Sequence, residues 1–263
     1  MRKSSLKFLG FLLLTVVIFN ACKKVNPLNQ TPKNVRLMNY TRTVLSINPG
    51  SIPYIENYRF TYNKVNQVDS IYFTTNQPGG QNYVSIFHYN DRVVTDTIKQ
   101  LNGTILEIDT FITDYNRNID TTYITGNKVA YTYYNNLITR IDHPNYTFST
   151  FTSYNNNLTK QIFSTTTPEI SYKYYTDMPF NTLDYLYIVS LSRYGMSMYH
   201  TANLVESISS VTDTTKVFYT LDADSKVVKM VVAKIDTFVT PTLGYTYHPL
   251  SDTETYYFQY QRY

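Results

Sequence analysis

The one side chain in this chain whose chemistry is singular is Cys22, the only cysteine among 263 residues. It closes Asn20-Ala21-Cys22, directly after an apolar run at 8–19 that itself follows Arg2, Lys3 and Lys7. A basic start, a short apolar core and a small residue before the cut make a secretory leader. The core falls well short of the roughly 20 residues a membrane span needs. A thiol at that junction is placed to act as a nucleophile that accepts a lipid. The alternative is an ordinary secretory leader with an incidental cysteine. Downstream of Cys22 there is no thiol, hence no disulfide and no thiol catalysis.

The other reactive types do not assemble into a motif. The four histidines, His88, His143, His200 and His248, have no metal-ligand spacing and read as surface or turn residues. Asp142-His143 precedes Pro144 and is better explained by a turn than by a catalytic dyad. Asp222 and Asp224 begin like a calcium loop, but the central Gly and the terminal Glu are missing, and Asp and Ser are favoured turn formers. Only 8 glycines occur, with no phosphate-cradling loop and no Gly-x-Ser-x-Gly elbow. No metal, cofactor or catalytic residue is expected. Tyr is the remaining candidate for recognition, with 28 copies and no Trp. Because the Tyr are spread along the chain, they are expected to serve half-exposed strand faces more than one binding surface.

The segment ending in Cys22 resembles the lipobox of bacterial lipoproteins. The resemblance implies cleavage after Ala21, lipidation of the Cys22 thiol and acylation of the new amino group, and two or more acyl chains give a stable anchor where one does not. Residues 1–21 are then a lipoprotein signal peptide and residues 22–36 a lipidated cysteine with an extended tether containing Pro27 and Pro32. Many surface-exported lipoproteins of Bacteroidota carry acidic residues just after the cysteine. Lys23 and Lys24 stand there instead, so the expectation is an outer-membrane anchor facing the periplasm, with surface exposure as the alternative. The formal charge of +4 includes the three leader cations, and 4 − 3 leaves +1 for the remainder. A near-neutral body has no electrostatic footprint for nucleic acid.

The elements that must carry any site read as strand, turn, strand. In Tyr131-Thr132-Tyr133-Tyr134-Asn135-Asn136-Leu137-Ile138-Thr139-Arg140-Ile141 an aromatic-rich run stops at an Asn pair and resumes as an aliphatic alternation, the pattern of a hairpin. Asn102-Gly103 predicts another hairpin, with positive φ at both central positions. Turn signals recur about every ten residues, as in an up-and-down antiparallel sheet or barrel. The expected fold is therefore all-β: one large antiparallel sheet over 37–263, barrel-like or strongly curved. One helix near 180–194 breaks the rhythm, with Asp177 as its N-cap, packed over an open side or end of the sheet.

Three features then point to a family. They are the run Tyr219-Thr220-Leu221-Asp222-Ala223-Asp224-Ser225-Lys226-Val227, the helix followed by Gly195-Met196-Ser197 and Ala202-Asn203-Leu204, and the aromatic last strand. Together they resemble a Bacteroidota lipoprotein family of unknown function with a porin-like β fold. The resemblance implies a meandering, barrel-like body behind a lipid anchor and implies no activity. The functional expectation is a lipid-anchored envelope protein that binds a ligand or partner, neither of them identified, without catalysis. Two alternatives stay open: a carboxylate-dependent enzyme acting on polysaccharide, and an integral outer-membrane barrel. Apolar density comparable to a lipid-facing strand occurs only over 226–240.

Overall fold

The computed structural model describes residues 35–46, 51–124, 126–164, 169–180, 184–210, 213–240, 244–249 and 253–262. Cys22, the leader and the tether at 22–34 lie outside them. The strands in the first half are β1 (Val35–Leu45), β2 (Tyr54–Tyr62), β3 (Val68–Thr75), β4 (Tyr83–Asn90), β5 (Val93–Gln100), β6 (Ile105–Thr113), β7 (Ile119–Ile124) and β8 (Asn127–Tyr134). They continue as β9 (Leu137–Asp142), β10 (Phe148–Tyr154), β11 (Asn157–Phe163), β12 (Ile170–Pro179), β13 (Asn203–Ser209), β14 (Thr214–Leu221), β15 (Val227–Thr240), β16 (Gly244–Pro249) and β17 (Thr253–Arg262). Each strand pairs antiparallel with its neighbour in sequence through β16, and β17 pairs back onto β1 from Val35↔Arg262 to Leu45↔Thr253. The first part of β15 pairs with β17 (Lys229↔Tyr257), and its last part carries β16. The closed ring is thus β1 to β15 plus β17, a barrel of sixteen strands.

Short turns gather at one end. Asn135 and Asn136 have φ of 50° and 62°, and Asn155 and Asn156 have 50° and 60°. Asn tolerates this left-handed backbone, which a two-residue hairpin needs to match the twist of its strands. Val35 begins at this same end, beside Arg262 and near the β2–β3 turn. This end also carries the longest connection, the one from β12 to β13 that contains the helix, while 76–82 between β3 and β4 lies at the other end. Asn102-Gly103 lies there too and departs from the expected turn. Only Gly103 has positive φ, at 95°, and Gln100 N–H donates to the Thr104 carbonyl across a wider loop.

Alternation along each strand sorts side chains into two sets. Glu56, Tyr58, Phe60 and Tyr62 of β2 turn inward, opposite Phe73 and Ile71 of β3. Ile55, Asn57, Arg59 and Thr61 turn outward. The same split puts Val217 and Tyr219 of β14 inside and Lys216, Phe218 and Thr220 outside. The core therefore lies inside the barrel. One cluster joins Leu37, Phe60, Ile71, Phe87 and Phe111 with Val205, Val217, Met230 and Phe258, and a second joins Ile119, Tyr131, Ile138, Phe151 and Leu158.

The helix α1 (Tyr185–Tyr194) takes part in both clusters through Ile188, Leu191 and Leu186. Its N-cap is Asp184, whose carboxylate accepts from Tyr187 N at 2.6 Å. Asp177 instead belongs to β12, which keeps pairing as far as Pro179↔Asn203. Gly195 ends the helix at φ 66° and donates its N–H to the Leu191 carbonyl. The expected position over an open side or end is also corrected. The Tyr185 N–H meets the Tyr219 hydroxyl on β14, while Arg193 Nη2 reaches Asp109 on β6 at 3.0 Å. These strands are eight apart in a ring of sixteen, so α1 crosses the lumen from wall to wall.

Candidate ligand cavity in the barrel lumen

Helix α1 is buried on one side and open on the other. Leu186, Ser190 and Leu191 are buried, whereas Val189 is 49% exposed although it sits inside the barrel. What it faces is a cavity of about 330 Å³ between α1 and the β17–β1–β2 wall, lined by Tyr40, Tyr58, Tyr185, Val189 and Tyr256 among others. A second space of about 580 Å³ shares Tyr83, Ser192 and Arg193 with the first and reaches Gln77, Gly80 and Gln81 of the β3–β4 loop. The opening therefore lies at the end of the barrel that carries the β3–β4 loop, away from Val35.

Register assembles the aromatic wall. Tyr40 pairs across strands with Tyr58, Tyr58 with Phe73, and Phe73 with Tyr83, on four consecutive strands. The rings follow: Tyr40 and Tyr58 stack at 4.4 Å, Tyr58 and Phe73 lie at 4.9 Å, and Phe73 and Tyr83 stack at 4.7 Å. Such pairs add about 0.5–1.5 kcal/mol beyond their area. Burial raises the hydroxyl pKa of Tyr40, Tyr58, Tyr83, Tyr185 and Tyr256, so these groups stay protonated donors. Tyr40 shares a 2.7 Å hydrogen bond with Ser192 of α1, which fixes the helix against this wall.

Two guanidinium clusters frame the cavity. Arg42 Nε and Nη2 donate to Glu254 at 3.1 and 2.6 Å, and Nη1 donates to Glu56 at 2.8 Å. Burial alone would push the Arg42 charge off, but the Glu254 pair and Glu56 more than offset that and hold its pKa above the ordinary arginine value. The Tyr256 hydroxyl also donates to Glu254, at 2.6 Å. On the far side Arg193 binds Asp109 at 3.0 Å and lies 3.9 Å from Glu107. Asp96 sits directly opposite Asp109 on β5 and is 0% exposed. Neither of its oxygens makes a hydrogen bond of good geometry, although the Ser85 hydroxyl lies close enough to favour the charged form. Burial first, and then the Asp109 charge, push the Asp96 carboxyl up to about 7.

The residues singled out from sequence do not converge here. Cys22 lies outside the described residues. His88 is exposed on β4, and His143 contacts Ser149 at 3.3 Å while Asp142 is taken by Arg140 at 2.6 Å, so they form no dyad. His200 is half-buried in the irregular segment after α1, and burial lowers its pKa. Asp222 and Asp224 make a turn: Asp222 accepts from the N–H groups of Asp224 and Lys226, and Asp224 pairs with Lys226 and Arg262. The Tyr set is where sequence reasoning fell short. Residues scattered from 40 to 256 meet in one lumen, and the signal was their inward phase on strands that close through β1 and β17.

No protein-family model matches the chain, and no curated protein matches it. Among solved structures it is similar to a porin-like protein from Bacteroides uniformis ATCC 8492, with a TM-score of 0.63 and 14% sequence identity over 86% of this chain and 98% of that one. The likeness is one of fold: this chain is an all-β, porin-like barrel.

Proposed function

We propose that this protein is a lipid-anchored barrel of the cell envelope that holds a small ligand in its lumen without chemically changing it. The observation that carries the reading is the plugged lumen. Helix α1 and two packed cores occupy much of the interior, and beside the helix a Tyr-lined cavity stays open toward the β3–β4 loop. A lumen crossed by a packed helix is a receptacle, not a conduit. The Cys22 leader supports the anchor and the resemblance to Bacteroidota lipoproteins. Lys23 and Lys24 favour the periplasmic face of the outer membrane.

The exterior supports a barrel that stands in water. Outward positions mix Thr, Asn, Lys and Arg with single apolar residues such as Ile55, Ile108 and Phe218, and cations cover exterior rings, with Arg59 over Tyr72 at 4.4 Å and Arg140 over Phe148 at 4.1 Å. A lipid-facing barrel needs an apolar belt on strands of roughly 9–11 residues. Here β7 and β9 have six residues and β10, β11 and β13 have seven. The enzymatic alternative is weaker on geometry. Glu254 is engaged by a guanidinium and Glu107 lies beside one, while Asp96, the carboxyl held near neutrality, is sealed from the cavity.

The anchor is tested by replacing residues 1–22 with a cleavable secretory leader that lacks cysteine. The parent protein is expected in the detergent phase after membrane extraction and the exchanged protein in the aqueous phase. Retention of the exchanged protein in the detergent phase would refute the anchor.

A further inference from the structure

We propose that the luminal cavity selects a compact organic cation, a primary ammonium carried on an aromatic or apolar body. The proposal rests on the receptacle reading above and narrows it to one ligand class. Three observations carry it.

The first is that the cavity has little cationic capacity to offer an anion. Arg42 has three nitrogens committed to Glu254 and Glu56, and Arg193 is committed to Asp109 with Glu107 beside it. A phosphate or carboxylate ligand would have to break a pair that is already made.

The second is the charge surplus. Arg42 and Arg193 supply two positives, and Glu56, Glu254, Glu107 and Asp109 supply four negatives, so 2 − 4 leaves −2 around the cavity. A primary ammonium brings three donors and no acceptor, which is what such a surplus lacks.

The third is the wall. Tyr58, Tyr83 and Tyr185 line the space. Ring faces attract a nearby cation, more strongly when water is excluded. Val189, left half-exposed on α1, offers the apolar floor for the body of the ligand.

The test uses the whole protein in a non-ionic detergent and three probes that share a phenylethyl body: phenethylammonium, 2-phenylethanol and 3-phenylpropanoate. Binding is read by calorimetry at low and high salt. Phenethylammonium is expected to bind about tenfold or more tightly than the alcohol, the scale of one cation–π or ion-pair contact, and to weaken with salt. The propanoate is expected not to bind. Glu107→Gln should lower ammonium affinity several-fold and leave the alcohol unchanged. Val189→Phe, which fills the cavity from the helix side, should abolish binding of all probes. Alcohol or propanoate binding as tightly as the ammonium would overturn the ligand class and leave the receptacle standing. Ammonium binding untouched by both variants would overturn the site. Binding by none of the probes would overturn the receptacle and the class together.

Discussion

Replacing Asp96 by Asn should make the protein more stable, and only above a definite pH. Asp96 is fully buried and faces Asp109 across the β5–β6 ladder, where like charges directly opposite are destabilising. The nearest cation, Arg193, is engaged by Asp109. Burial and the Asp109 charge hold the folded-state pKa at about 7 against 3.8 for an unperturbed carboxyl. The folded protein therefore keeps a proton that the unfolded chain gives up between pH 4 and 7. Stability carried by this group is fully present below 3.8, falls as pH rises through the window, and levels off above 7. At 1.36 kcal/mol per pH unit the window is worth on the order of 4 kcal/mol. The amide keeps the shape and cannot ionise. Urea unfolding of parent and Asp96→Asn should agree to within about 1 kcal/mol at pH 4 and differ by about 2–4 kcal/mol in favour of the variant at pH 8. A residual slope between pH 4 and 6 remains in both, because burial also raises Asp184, to about 6. Parallel pH profiles, or a variant less stable than the parent at pH 8, would refute the reasoning.

The helix and the ion clusters give sharp expectations of their own. Gly195→Ala places a Cβ 2.9 Å from the Phe87 ring at φ 66°, and should cost about 2–4 kcal/mol in denaturant unfolding from left-handed strain and overpacking. Asp184→Ala removes the cap on Tyr187 N and the bond from Thr201 Oγ1, and should cost about 1–2 kcal/mol, while Asp184→Asn keeps an acceptor and should cost less. Arg42→Met leaves Glu56 and Glu254 facing each other without a cation, and should lower the urea midpoint by the equivalent of about 2–4 kcal/mol, at the lower end of values for broken buried pairs because Arg42 is partly solvated.

Local chemistry made the strands legible, because alternation and turn residues act within a few positions. Asn135 and Asn136 sit where a tight hairpin demands left-handed backbone, and the chain around them forms β8 and β9. Long-range pairing is what local pattern cannot carry. The helix start was misplaced because Asp177, Met178 and Pro179 satisfy an N-cap motif, yet pairing with β13 holds them in a strand. Strand β16 takes the far part of β15 as its partner, a pairing that local pattern does not specify. The cavity was invisible for the same reason. Tyr40 and Tyr256 lie at opposite ends of the chain, and only closure of β1 on β17 brings their rings to 5.9 Å. The inward turn of Glu56, Glu107, Asp109 and Glu254 follows from strand phase, but their pairing with Arg42 and Arg193 depends on closure and on the path of α1.

The central claim is that the core lies inside this barrel and water outside it. Cys22 is the only cysteine, so labelling of the parent protein fixes the background against which single added cysteines are read. Asn57, Thr132 and Thr220 are exposed outward positions on β2, β8 and β14, and Val217 faces inward with no exposure. In permeabilised cells with membranes intact, a charged maleimide should label Asn57→Cys, Thr132→Cys and Thr220→Cys rapidly and leave Val217→Cys untouched. Outward cysteines that stay unlabelled until detergent dissolves the membrane would contradict the account.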